Sequence, residues 1–207
     1  MMKKNWIVQV AFGFAVTVGV MNLSSCVTPQ ENPNLPNLMT TSDYSALVER
    51  YTVTSKIYDG FYQTLQISTT LMNTAVSRGQ LDMKARYYQW SQDQYLAAKS
   101  ETETSLSRET KFFASVFVPE RKHDDLNKPK TLWKVFLDAG GRRYEGKVEK
   151  IKAVLIDVQS IFPQHNRFST PYVVTFPVSI SMVENTESSL TVTGPVGSTT
   201  MKFKPAE

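Results

Sequence analysis

Apolar positions change their spacing several times along this chain, and each change marks a different element. Residues 6–20 form a mostly apolar run behind Lys3 and Lys4. Residues 26–41 carry no periodicity and place Pro29, Pro33 and Pro36 among Asn, Gln and Thr. Prolines remove backbone donors and short polar side chains bury little area, so this stretch predicts an extended, mobile tether. From Ser42 the spacing becomes helical: Tyr44, Leu47, Val48, Tyr51, Tyr58, Phe61, Tyr62, Leu65, Met72, Ala75 and Val76 recur mainly at intervals of three, four or seven. Ser42 or Asp43 would cap the first turn, Gly60 would allow a bend, and Gly79 would stop the helix. After a short link at residues 78–80 the pattern resumes with Leu81, Ala85, Tyr88, Tyr95, Leu96 and Leu106. Residues 42–110 therefore predict an N-terminal helical hairpin of antiparallel neighbours.

At Phe112 the period drops towards two. Phe112-Phe113-Ala114-Ser115-Val116-Phe117-Val118 is β-branched and aromatic and ends at Pro119. Further strands are predicted over 131–138, 148–158, 172–181, 189–192 and 199–203. Asp138-Ala139-Gly140-Gly141 and Gly194-Pro195-Val196-Gly197 supply turns. Strands following a block of helices, without β-α-β alternation, predict an α+β chain in which the hairpin packs against an antiparallel β-sandwich, immunoglobulin-like or transthyretin-like, over 111–207.

Composition narrows the function classes. Of the net charge of +4, two units belong to Lys3 and Lys4, so the rest of the chain carries only +2. No Lys/Arg-rich run of the kind that tracks phosphates follows, and nucleic acid is not an expected partner. Cys26 is the only cysteine, so no disulfide within the chain can help to hold the fold. The length suffices for one sizeable core.

That cysteine sits in a telling context. Lys3 and Lys4 make a positive n-region, residues 6–20 an apolar h-region, and Leu23-Ser24-Ser25-Cys26 an aliphatic residue and two small ones ahead of a thiol. The tetrapeptide resembles the lipobox of bacterial lipoproteins. The resemblance implies cleavage after Ser25, a signal peptide over 1–25, and a lipid chain on Cys26, with a second acylation giving a firm hold on the membrane. By the same analogy Val27, in place of an inner-membrane-retaining aspartate, implies the outer membrane facing the periplasm. An ordinary secretory signal and an uncleaved apolar anchor are the competing readings of the leader. A 15-residue tether would let the folded part stand up to roughly 45 Å from the bilayer.

The mature chain also resembles a group of uncharacterised bacterial envelope lipoproteins. The carrying residues are 112–119, Asp124-Asp125-Leu126 with Thr131-Leu132-Trp133, the Gly140-Gly141 turn, and Phe162-Pro163 ahead of Tyr172-Val173-Val174-Thr175-Phe176-Pro177. This implies the architecture and the anchor, and no chemistry.

Chemically loaded residues crowd into the loop 119–130: Glu120, Arg121, Lys122, His123, Asp124, Asp125, Lys128 and Lys130. Adjacent opposite charges in a loop are usually solvated, and an aspartate there usually caps its own turn. The alternative is a hydrolytic or metal site of His123, Asp124 and Asp125, joined by His165. Two histidines so far apart form no recognised zinc set, no Gly-x-Ser-x-Gly elbow is present, and no cofactor is expected. A third reading is a glycan-binding face made by Tyr44, Tyr51, Tyr58, Tyr62, Tyr87, Tyr88, Trp90 and Tyr95. The sequence thus predicts a membrane-attached, non-enzymatic lipoprotein that binds another envelope protein or supports the envelope, with loop 119–130 as its partner surface.

Overall fold

The computed structural model describes residues 31–35 and 37–205 and shows an α+β chain with two antiparallel sheets, nine strands and five α-helices among those residues. Leu23, Ser24, Ser25 and Cys26 lie outside them. Among the described residues no helix is long and apolar enough to cross a membrane.

The expected N-terminal helical hairpin over 42–110 is replaced by a different order. Helix α1 (Thr41–Arg50) opens where the Thr40 hydroxyl accepts from the Asp43 amide at 3.1 Å, and it buries Tyr44 and Val48. Strands β1 (Thr52–Asp59) and β2 (Tyr62–Leu71) follow as a β-hairpin, turning at Gly60 with φ 58°. The reason is side-chain shape. Thr52, Val53, Thr54, Ile57, Thr64, Ile67, Thr69 and Thr70 are β-branched, which restricts them in a helix and suits a pleated surface. Leu65, Ile67, Thr69 and Leu71 are buried at a period of two. The aromatic residues that simulated a helix face, Tyr58, Phe61 and Tyr62, stand exposed at the hairpin tip.

A helical hairpin does exist, but over a later stretch. Helix α2 (Thr74–Tyr87) is capped by the Asn73 side chain, and α3 (Gln92–Arg108) by a reciprocal box between Ser91 and Gln94. Both satisfy amides that a helix start leaves without partners. The pair is inserted between β2 and its antiparallel neighbour β3 (Thr110–Phe117). Gly79, the expected stop, lies inside α2. A Cβ there would come within 2.7 Å of the Tyr44 ring, so the glycine permits the close crossing of α1 over α2.

Asn32 and Met39, expected within a mobile tether, are fixed against α2. The buried Asn32 amide donates to the carbonyls of Ala85 and Trp90, both at 2.9 Å, Arg86 donates to the Met39 carbonyl at 2.7 Å, and Asp82 accepts from the Met39 amide at 3.0 Å. Asn32 thereby ties this segment to the end of α2 and the turn after it, where the Ala85 carbonyl also accepts from the Trp90 amide at 3.0 Å. Asn32→Ala is expected to lose about 2 kcal/mol of stability in urea titrations, because it strips donors from a buried helix end.

The first sheet runs β1-β2-β3-β7-β6, with β7 at Thr170–Phe176 and β6 at Lys147–Lys150. The second runs β5-β4-β8-β9, at Arg142–Glu145, Lys134–Ala139, Ser188–Gly194 and Gly197–Phe203. Gly140 and Gly141 both adopt positive φ and turn β4 into β5. One core cluster unites the inner faces: Leu65, Phe112, Val116, Tyr172 and Val174 from one sheet meet Val135, Leu137, Leu190 and Met201 from the other. Phe112 presents its ring edge-on to Phe176 and Phe203 at 5.8 and 5.1 Å.

Two predicted strands stop early and run on into short helices. Residues 148–158 divide between β6 and α4 (Leu155–Ile161), and 172–181 between β7 and α5 (Ile180–Glu184). In the first, Val158 and Phe162 cover the outward Phe113, whose ring stacks on Phe162 at 3.7 Å. In the second, Pro177 cannot donate to a ladder and ends the strand.

Candidate functional site

The charged loop leaves β3, makes a 3-10 turn over Arg121–His123, and returns to β4 through two buried anchors, Leu126 and Trp133. The Trp133 indole N–H donates to the His123 carbonyl at 2.8 Å. Asp124 is pointed inward: its carboxylate accepts from the Thr170 hydroxyl at 2.6 Å and the Tyr172 hydroxyl at 3.0 Å, both on β7. Burial pushes the Tyr172 phenol well above its ordinary pKa, and the Asp124 charge adds to the shift, so the phenol stays a donor. Asp125 accepts weakly from Thr131 at 3.4 Å and takes the Lys128 amide on its carbonyl at 2.9 Å, closing a turn.

The remaining predicted residues face water. Arg121, Lys122, Lys128 and Lys130 are exposed, as is Leu132 at 76 %. Arg121 lies 3.7 Å from Asp124. Lys122 pairs with Glu120 at 2.7 Å and holds that carboxyl below the usual range. His123 reaches only to Glu120, at 3.7 Å. A shallow groove of about 200 Å³ runs beside the loop, between Leu126–Thr131 and the Glu145-Gly146 corner.

Asp124 is therefore committed to holding the loop, and its two hydroxyl partners leave it poorly placed to act as a base. His165 does not join His123 and Asp124. It lies buried on the outer face of the first sheet, its Nδ1 at 2.8 Å from the Ser115 hydroxyl and its ring edge-on to Phe113. Ser115 is equally enclosed, so this Ser–His pair has no approach for a substrate. Among the described residues no three His, Cys, Asp or Glu side chains converge on a point that would hold a metal ion. The aromatic residues separate likewise. Tyr44 is buried and donates to the Ile161 carbonyl at 2.8 Å. Tyr95 donates to Asp82 at 2.7 Å, and burial, aided by that carboxylate, pushes its phenol up to about 12. Tyr58 and Tyr62 stand at the β1–β2 tip, while Tyr88 and Trp90 stack at the α2–α3 corner. They form no single glycan-binding face.

No protein-family model, curated protein or solved structure matches the chain.

Sequence reasoning missed Thr170 and Tyr172 as the partners of Asp124, since they stand 46 and 48 residues away with nothing local to link them. The hold of Trp133 on the His123 carbonyl was equally illegible.

Burial lowers the His165 pKa below its ordinary value of 6.5. The unfolded chain therefore binds this proton more readily than the folded one. Stability is full above pH 6.5 and falls as the pH drops through the folded-state value. Thermal melts between pH 7.5 and 5 are expected to show this loss. His165→Asn should flatten the slope.

Proposed function

We propose that this chain is a lipid-anchored bacterial envelope lipoprotein, attached through Cys26 at the outer membrane and facing the periplasm, that works by binding another envelope protein or by structural support rather than by catalysis. The observation that carries the binding reading is the loop at 119–133. Asp124 and Asp125 are engaged inside it, so what it offers outward is Arg121, Lys128, Lys130 and the exposed Leu132, together with the Lys122–Glu120 pair. A loop that exposes an excess of cations and an apolar side chain suits an acidic protein surface, for which the charges favour encounter and the leucine contributes buried area. The shared core of the two sheets supports reading them as an immunoglobulin-like or transthyretin-like sandwich, in which end loops present binding residues.

The anchor reading rests on Leu23-Ser24-Ser25-Cys26 behind its apolar leader. Labelled palmitate is expected on the wild-type chain and absent from Cys26→Ala. Undiminished labelling of that variant would remove the anchor. For the loop, Arg121→Glu, Lys122→Glu, Lys128→Glu and Lys130→Glu together are expected to eliminate crosslinked partners in intact cells while leaving thermal unfolding unaltered. An unchanged partner set would take the binding surface elsewhere on the molecule.

A further inference from the structure

Helices α2 and α3 and the start of β3 enclose a groove of about 380 Å³, within the range of small-ligand sites. It stands apart from the charged loop and is independent of the anchor. Apolar side chains line much of it, among them Leu81, Leu106 and Trp90. Lys84 of α2 also lines it, half-buried, and among the described residues it has no ion pair and no side-chain hydrogen bond. The neighbouring Lys111 is differently placed, with Glu109 at 2.7 Å and the Ser105 hydroxyl at 3.2 Å. Burial pushes the Lys84 ammonium below the ordinary lysine range, and Lys111 adds repulsion.

A half-buried cation facing a cavity with no carboxylate within ion-pair distance is a standing electrostatic penalty, and an anion entering the cavity beside it relieves it. The other charges restrict which anion. Glu101 and Glu109 also line the groove, and Glu109 is engaged by Lys111, which leaves Lys84 and Glu101 as the unpaired charges; a monoanion can be balanced by Lys84, whereas the second charge of a phosphate monoester would meet Glu101 with no cation to offset it. Leu81, Leu106 and Trp90 call for an apolar body behind that charge.

We propose that the α2–α3 groove is a binding site for a small monocarboxylate with an apolar tail, its carboxylate paired with Lys84 and its hydrocarbon laid on Leu81, Trp90 and Leu106. Sequence reading passed over Lys84 because its isolation is a property of the packed helices.

Hexanoate is the probe, titrated into the full-length protein with calorimetry and the Trp90 indole N–H resonance as readouts. The resonance is expected to shift on saturation, and Lys84→Met is expected to weaken binding about tenfold, the loss of one charge-assisted contact, while Lys84→Arg stays close to wild type. Ala98→Phe, at a groove-lining position of α3, a helix with no buried residue, adds bulk to the groove while retaining Lys84. It is expected to abolish binding with the melting temperature retained. Hexanol, hexylamine and hexyl phosphate should all bind more weakly than hexanoate. The site is overturned by an unmoved Trp90 resonance, by equal affinity in wild type, Lys84→Met and Ala98→Phe, or by hexylamine binding as tightly as hexanoate.

Discussion

Trp133→Ala is expected to destabilise the folded chain by about 3–5 kcal/mol, the range for removing a large aromatic side chain from a core. Trp133 is 3 % exposed and belongs to the cluster that unites the two sheets. Gly194 on β8 packs directly against its ring, so closely that a Cβ at that position would overlap it. A space left by the ring is therefore bordered by sheet backbone, which collapses poorly, and the loss should sit towards the upper end of that range. A second effect accompanies the first: the His123 carbonyl loses its donor, and the 3-10 turn loses one of its two ties to the body of the protein. The measurement is a urea titration, supported by a melting temperature lowered by roughly 10 °C or more. Trp133→Phe separates the two effects, since it retains most of the packing and should lose only about 1–2 kcal/mol with the hydrogen bond. A stability within 1 kcal/mol of wild type for Trp133→Ala would contradict the close packing described above.

Asp124→Ala is the second large effect, with an expected loss of about 3 kcal/mol. Its carboxylate is only 11 % exposed, and removing it leaves the hydroxyls of Thr170 and Tyr172 without an acceptor. Tyr172 is fully buried, so water cannot replace the lost partner at low cost. Because the two residues act through one contact, their effects should not add. In the Tyr172→Phe background, Asp124→Ala should lose clearly less than it does alone. Hydrogen exchange of the amides at 121–126 should accelerate in Asp124→Ala, since the turn would keep only its Trp133 tie. Unaltered exchange there would mean that Asp124 does not fix the loop, and would weaken the case for a preformed binding surface.

These two side chains also mark how far the site could be read from sequence. The loop was legible as a concentration of charge between strands, and its aspartates as residues more suited to holding a turn than to chemistry. That one of them does so through β7 was not, because hydrogen bonds spanning 46 and 48 residues leave no local pattern. His165 could be counted as a potential ligand from its residue type alone. Its place beneath Phe113, bonded to Ser115, follows from the way residues 162–169 fold over the outer face of the first sheet.

The clearest misreading was at 51–71. Tyr58, Phe61 and Tyr62 fall by coincidence at helical intervals, but they stand exposed at the tip of a hairpin. The β-branched residues between them carried the better signal. Spacing weighs every large side chain alike, whereas the backbone responds to branching at Cβ.

The sequence by itself determined the strands near 112–117, 134–138, 189–192 and 199–203 and the Gly140-Gly141 reversal, because β-branching, period-two burial and positive φ act over a few residues. It also supplied the reason to expect an anchor at Cys26, in four adjacent letters. The tertiary structure decided which charges are available. Asp124 is enclosed by β7, Lys111 is neutralised by Glu109, and Lys84 faces a groove with no ion-pair partner among the described residues. Each outcome depends on the distance between elements remote in sequence, and electrostatic and hydrogen-bonding energies are fixed by that distance and by the exclusion of water.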